Sequence, residues 1–126
     1  MLDTHGQLDI LVNNAGITGD KTVRKMTVED WDRVLQVNLS GAFYLSRVIL
    51  QHMLDRGYGR IINISSIIGE SGNIGQANYA AAKSGLFGLT MSLAQETARR
   101  GITVNDVAPG YISTDMVAAV PQEALD

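Results

Sequence analysis

Apolar and polar positions along this chain fall into two kinds of run. Short, nearly continuous apolar stretches alternate with long segments whose apolar positions recur every third or fourth residue, the two signatures of buried strands and of helices. Asp9-Ile10-Leu11-Val12-Asn13 is the first short run, closed by Asn14-Ala15-Gly16. It reads as a parallel strand buried on both faces and ending in a turn. The polar stretch from Gly19 to Lys25 is a loop, and Thr27 with Asp30 three positions on is a capping-box start for a helix. Apolar positions then run through Trp31, Val34, Leu35, Val37, Leu39, Ala42, Phe43, Leu45, Val48, Ile49, Met53 and Leu54. They predict roughly thirty helical residues. Asn38-Leu39-Ser40-Gly41 lies in the middle, and such poor helix formers predict a kink there or two helices in sequence.

Arg56-Gly57-Tyr58-Gly59 stops that segment, and Arg60 to Ser65 is a second strand rich in branched residues. Ser66 to Gln76 reads as a loop. A helix is predicted from Tyr79 to about Arg100, with Gly101 at its left-handed end and Arg99 and Arg100 in the last turn complementing the helix dipole. Ile102 to Val107 is the third strand, ended by Ala108-Pro109-Gly110, and Thr114 to Val120 is a short helical segment. Strands separated by helices at this spacing predict an α/β fold: three parallel strands alternating with long helices in one domain over residues 1–126. Ligands of such sheets bind outside the carboxyl ends of the strands. Asn13 to Gly16, Ser65-Ser66 and Pro109-Gly110 therefore converge on one cleft.

Composition narrows the class. At 126 residues the chain is long enough to bury about two-thirds of its unfolded surface. A hydrophobic content of 45% and a net charge of −3, without a basic stripe, exclude nucleic acid as an expected partner. The absence of cysteine excludes disulfide and thiolate chemistry. No apolar run approaches the ~20 residues of a membrane span, and no leader pattern opens the chain, so no membrane is expected and the cytoplasm is the default location.

The candidate chemistry centres on Asn78-Tyr79-Ala80-Ala81-Ala82-Lys83. Residues four apart share a helix face, so a phenol and an ammonium are neighbours there. A cation beside a tyrosine favours its ionised form, and such a tyrosine can donate a proton near neutral pH. Taken alone, the pair reads first as a helix start with an incidental Tyr and a solvated Lys. Ser66 could be a loop hydroxyl, and Asn38 a kink satisfied by backbone groups.

Their joint spacing resembles one family. Asn13-Asn14-Ala15-Gly16, Asn38, Ser65-Ser66, Tyr79 with Lys83, and Pro109-Gly110 stand in the order of the short-chain dehydrogenase/reductases, a Rossmann-like, doubly wound fold. The phrases Gly75-Gln76-Ala77-Asn78-Tyr79, Arg60 to Ser66 and Val107 to Tyr111 are most similar to its 3-oxoacyl-(acyl-carrier-protein) and acetoacetyl-CoA reductases. The resemblance implies an NAD(P)-dependent reduction of a 3-oxoacyl thioester, carried by CoA or an acyl carrier protein, with NADP(H) favoured over NAD(H) and no metal; a sugar, steroid or small alcohol is the alternative substrate. It implies Tyr79 as general acid, Lys83 as the group that lowers the Tyr79 pKa and holds the nicotinamide ribose, and Ser66 on the substrate oxygen. Asn38 would hold a water behind Lys83. Asn14, Ala15 and Gly16 would line the adenosine half of the cofactor, and Pro109, Gly110, Ile112 and Thr114 its carboxamide. Gln76 and Tyr111 are candidates for the substrate pocket.

Two surfaces are implied as well. Leu45, Ile49, Leu86, Phe87 and Leu93 exceed what one sheet face needs, and the family pairs these helices in dimers or tetramers, although core packing alone would explain some of the same residues. Arg99 and Arg100 could meet an acidic carrier protein, although helix-end capping is favoured. The family's glycine-rich GxxxGxG turn, which carries the cofactor pyrophosphate, is not found here, and the first strand resembles the family's fourth. The chain is therefore expected to be a partial domain that binds dinucleotide weakly and turns over little or no substrate by itself, with the Asp9 strand as an unpaired edge, and a non-catalytic fragment or packing module is the alternative.

Overall fold

A computed structural model describes residues 6–109 of the chain. Strand β1 (Ile10–Asn13) is followed by helix α1 (Val28–Leu35), a π-helical turn (Gln36–Ser40) and helix α2 (Gly41–Arg56). Strand β2 (Gly59–Ile64), a short helix α3 (Ile67–Ser71), helix α4 (Ala77–Thr97) and strand β3 (Ile102–Val107) complete the order. The strands form one parallel sheet in the order β1-β2-β3, with Leu11 opposite Ile61 and Ile61 opposite Val104. This is the partial Rossmann-like α/β fold expected from the sequence.

Parallel crossovers are right-handed almost without exception, so strands laid down in one direction carry their connecting helices to the same side. The core reflects that rule. Ile49 and Met53 of α2 and Leu93 of α4 pack together against Ile61, Ile102 and Val104 of the sheet. The opposite face is bare among the described residues: Ile10 is 54% exposed and Val12 50%. The strand composition that predicts burial on both faces thus finds cover on one.

Within the covered face a polar layer crosses the sheet near its carboxyl end. Asn13 Nδ2 donates to Asn63 Oδ1 at 2.8 Å and to Ser46 Oγ at 3.4 Å, and Asn63 Nδ2 donates to Thr90 Oγ1 at 2.9 Å. All four side chains are buried, so each bond is made where water cannot replace it. The layer ties β1, β2, α2 and α4 to a single register.

The helical details follow local chemistry. Thr27 and Asp30 close the expected capping box: Thr27 Oγ1 accepts from the Asp30 N–H at 3.1 Å, and the Asp30 carboxylate accepts from the Thr27 N–H at 2.9 Å. The expected break around Asn38 is a π-helical turn joining two helices. Residues 66–76, expected to be loop throughout, contain α3, because the Ser66 hydroxyl caps it by accepting from the Ile68 N–H at 3.2 Å. Helix α4 ends at Thr97, before Arg99 and Arg100, which lie exposed in the turn that follows. Gly101 has φ +78, and a Cβ there would lie 2.0 Å from the Gly57 carbonyl oxygen, so both its conformation and its close approach to Gly57 require glycine.

The apolar residues expected to exceed the needs of one sheet face divide between core and surface. Ile49, Leu86 and Leu93 belong to the interior, with Leu86 only 1% exposed, and Ile49 and Leu93 pack in the cluster against the sheet. Leu45 is exposed and Phe87 half-buried, and the other exposed large apolar residues of these helices are Phe43, Tyr44 and Val48 on α2 and Met91 on α4.

Candidate active site

The carboxyl ends of the strands bring together the turn Asn14-Ala15-Gly16, the pair Ser65-Ser66 and the segment Ala108-Pro109. Asn14 and Ala15 are exposed there, and Gly16 is half-buried. The Ile67 N–H donates to the Pro109 carbonyl at 3.4 Å, which ties the end of β3 to the start of α3. Gly110, Tyr111, Ile112 and Thr114 lie outside the described residues.

Helix α4 supplies the centre of the site. Its buried face carries Asn78, Tyr79, Ala82, Lys83, Leu86 and Thr90, and the spacing of three and four residues puts the phenol and the ammonium on it together. Asn78 fixes the start of the helix: it is fully buried, its Nδ2 donates to the Gly19 carbonyl at 3.1 Å, and its Oδ1 accepts from the Tyr79 N–H at 2.8 Å. Short helix α3 lies directly on this helix at Gly69, where a Cβ would stand 2.8 Å from the Ser84 nitrogen. That contact places Ser66 within hydrogen-bonding reach of Tyr79.

Lys83 is 4% exposed, unusual for a lysine, and its Nζ donates to the Ile64 carbonyl at 3.0 Å. The ammonium also lies 5.6 Å from the centre of the Tyr79 ring. A Cβ at Gly16 would stand 3.4 Å from Lys83 Nζ, so the bare backbone of the first strand turn borders the ammonium. Burial lowers the Lys83 pKa, and the charge of Asp106 opposes that shift.

Tyr79 departs from the sequence expectation. Its pKa is raised, chiefly by burial, while the hydrogen bond with Ser66 opposes the shift and the charge of Asp20 adds to it. Desolvation of the phenol dominates, so the net shift is upward although the ammonium stands 5.6 Å from the ring centre.

Asn38 is buried in the π-helical turn, and both ends of its amide are taken. Oδ1 accepts from the Ile17 N–H and Nδ2 donates to the Ile17 carbonyl, each at 2.8 Å. Its side chain holds the loop after Gly16, satisfied by backbone groups as the sequence also allowed. Gln76, expected in the substrate pocket, is 3% exposed; its amide accepts from Asn73 Nδ2 at 2.8 Å and donates to Asp20 Oδ1 at 3.4 Å. The structure thus brings Asn38, Ser66, Tyr79 and Lys83 to one place and turns Gln76 toward the β1–α1 loop.

Two groups were missed by sequence reasoning. Asp20, whose pKa is raised by burial, acts on Tyr79 from the β1–α1 loop, and only a contact across 59 residues of chain reveals it. Asp106 stands on the covered face of β3, in register with Asn63. An acid at a position with the parity of Ile102 and Val104 was a signal the strand pattern contained. Among the described residues no cluster of His, Cys, Asp and Glu is arranged to hold a metal, and no helix is long and apolar enough to cross a membrane.

Comparison with known proteins places this geometry in a family. The family model described as short chain dehydrogenase matches residues 1–125. The chain belongs to that family. Among similar short-chain dehydrogenases, an acetoacetyl-CoA reductase of Cupriavidus necator is 55% identical over 121 residues, covering 96% of this chain and 49% of the relative. A 3-oxoacyl-(acyl-carrier-protein) reductase of Vibrio cholerae is 52% identical over 121 residues, 96% of this chain and 50% of its own. Its counterpart in Escherichia coli is 53% identical over 118 residues, 94% and 48%. This short-chain dehydrogenase chain spans about half the length of these relatives.

Proposed function

We propose that the chain carries the proton-donating half of an NAD(P)-dependent reductase that converts a 3-oxoacyl thioester of CoA or an acyl carrier protein to the 3-hydroxyacyl form. The observation that carries this reading is the meeting of Ser66, Tyr79 and Lys83 at the carboxyl end of the sheet, in a chain of this family with relatives of those names.

The residues fit the nicotinamide and its ribose. Lys83 has three donors and spends one on Ile64, which leaves two for ribose hydroxyls. Gly16 has no side chain to fill the space beside it, and Asn14 and Ala15 offer an exposed, small surface to the adenosine side. Pro109, Gly110, Ile112 and Thr114 border the carboxamide in this reading. The cofactor, when bound, supplies the hydride, and NADP(H) is the form we favour.

The chain's own residues then handle the proton. Reduction of a ketone consumes one, and Tyr79, with its pKa raised, holds its proton through the neutral range. Ser66 shares the Tyr79 hydrogen bond and is placed to donate to the same substrate oxygen as charge develops on it. Asn38 fixes the Gly16–Ile17 backbone beside Lys83. Gln76 holds Asp20 near Tyr79, and Tyr111 lines the acyl pocket. The exposed Phe43, Tyr44, Leu45 and Val48 form the surface through which the protein pairs as a dimer or tetramer, and the cytoplasm is its proposed location.

The test is a protein in which this chain replaces the matching 121 residues of the Cupriavidus necator relative. It is assayed with NADPH and NADH against acetoacetyl-CoA, an acetoacetyl carrier protein, and sugar and steroid ketones. Preferential turnover of the thioesters supports the reading, and faster turnover of another ketone moves it to that substrate. A second reading, a chain that binds dinucleotide weakly and turns over little or no substrate by itself, is favoured by the exposed Ile10 and Val12 on the bare sheet face. Micromolar binding of NADPH to the 126-residue chain contradicts it.

A further inference from the structure

The covered face of β3 holds one carboxylate among apolar neighbours. Asp106 follows Ile102 and Val104 on that face, and both of those are buried in the core. Its Oδ1 accepts a hydrogen bond from Ser65 Oγ. Its Oδ2 is out of contact with water and has no hydrogen-bond partner among the described residues. An ionised oxygen left in that position is costly unless a cation compensates it.

The neighbouring residues identify the cation. Ser65 stands between Ile64, whose carbonyl receives the Lys83 ammonium at 3.0 Å, and Ser66, which bonds Tyr79. Ile64 is in turn opposite Val107, the residue after Asp106. Lys83 is therefore held against the strand end that Asp106 anchors. We propose that Asp106 is a positioning residue of this site: it fixes Ser65, and with it the Ile64 carbonyl and the Ser66 hydroxyl, and it is the buried counter-charge of the Lys83 ammonium. The inference rests on the proposed reading only for what Lys83 does in turnover.

Other charged groups around Lys83 do not fill this role. Tyr79 shares its helix and presents its ring. Asp20 acts on Tyr79 from the β1–α1 loop. On α1, Glu29, Asp32 and Arg33 are exposed, and Asp30 is occupied by Lys21 and Thr27; on α3, Glu70 is exposed. Asp106 is the charge that favours the ammonium form of Lys83 against its burial. Removing that charge moves the Lys83 midpoint down, because the cation loses its compensation and keeps its desolvation.

The experiment is a side-chain NMR titration of the 126-residue chain labelled on lysine. The sequence has three lysines, Lys21, Lys25 and Lys83, so Lys83→Met assigns the signal. Asp106→Asn keeps the shape and an acceptor for Ser65, and the expected result is a lower Lys83 midpoint with Lys21 and Lys25 unmoved. An unchanged Lys83 midpoint in the folded variant overturns the proposal. Ser65→Ala is the second variant, since it removes the hydrogen bond and keeps the carboxylate. It is expected to speed amide exchange at Ser66 and Ile68 while leaving the Lys83 midpoint in place. A Lys83 midpoint that falls in Ser65→Ala overturns the counter-charge assignment even if Asp106→Asn fails to fold. Loss of the reductase reading with the Lys83 shift intact would leave this inference standing.

Discussion

Asn38 closes both ends of its amide on the backbone of Ile17, accepting from the N–H and donating to the carbonyl at 2.8 Å each. A residue in the middle of a long helical segment thereby fixes the loop that borders Lys83. The π-helical turn at Gln36–Ser40 is the local deformation that accompanies this reach, in keeping with the occurrence of such turns at functional sites.

Replacing Asn38 by Ala leaves the Ile17 donor and acceptor without this partner, and a half-buried polar group so abandoned costs about 1–3 kcal/mol. Urea unfolding of Asn38→Ala is expected to show a loss of about 2 kcal/mol. An unchanged midpoint would mean that the Ile17 groups find other partners at no cost.

Gly69→Ala tests the packing of α3 on α4. The added methyl would meet the backbone at Lys83 and Ser84 inside 3.0 Å, which the helix cannot give without moving. Overpacking of this kind costs about 1–3 kcal/mol. The expected variant is folded and destabilised, with Ser66 drawn away from Tyr79; the amide shifts of Ser66 and Tyr79 report the separation.

Tyr79 is expected to ionise later than an ordinary tyrosine. Its pKa is raised above the usual 10.0 by burial, so the proton stays on the folded chain as pH climbs past that value. The contribution to stability is present below pH 10.0, the unfolded value, and is lost as pH rises through the higher folded value. An ultraviolet titration reads the phenolates of the four tyrosines, and Tyr79→Phe is expected to delete the component above pH 10.0. Deletion of a component below it would contradict the burial argument.

The capping box has an acid limit. The Thr27 backbone bond, with Lys21 close by, holds the Asp30 carboxyl at about 2, well below its usual 3.8. Its stabilising effect is complete above pH 3.8 and disappears as pH falls through about 2. Thermal melts of wild type and Asp30→Asn are expected to differ at neutral pH and to converge at the acid end.

Much of this arrangement was legible in the residues, for reasons that are physical. The three strands are short branched runs with glycine or polar ends, and the Thr27 and Asp30 box announces itself by spacing alone. The pairing of Tyr79 with Lys83 follows from helical geometry. Contacts made across the chain were not legible. The bond from Asn38 to Ile17, the turn of Gln76 toward Asp20, and the facing of Lys83 to the Tyr79 ring depend on how β1 and α4 are brought together. Helix α3 was hidden because three glycines in Ser66 to Gln76 suggest a loop, whereas Gly69 serves a close approach to α4. The direction of the Tyr79 shift was misjudged because spacing places a cation nearby but does not report desolvation.

The central claim is that Tyr79 delivers the proton. Its most direct measurement is the rate of acetoacetyl-CoA-dependent NADPH oxidation by the protein carrying this chain in place of the matching segment of the Cupriavidus necator relative, with and without Tyr79→Phe. General acid catalysis contributes about 10²–10⁴-fold, so a loss of that size in kcat is expected with the fold and NADPH affinity retained. A Tyr79→Phe protein that turns over at the parent rate would contradict the account.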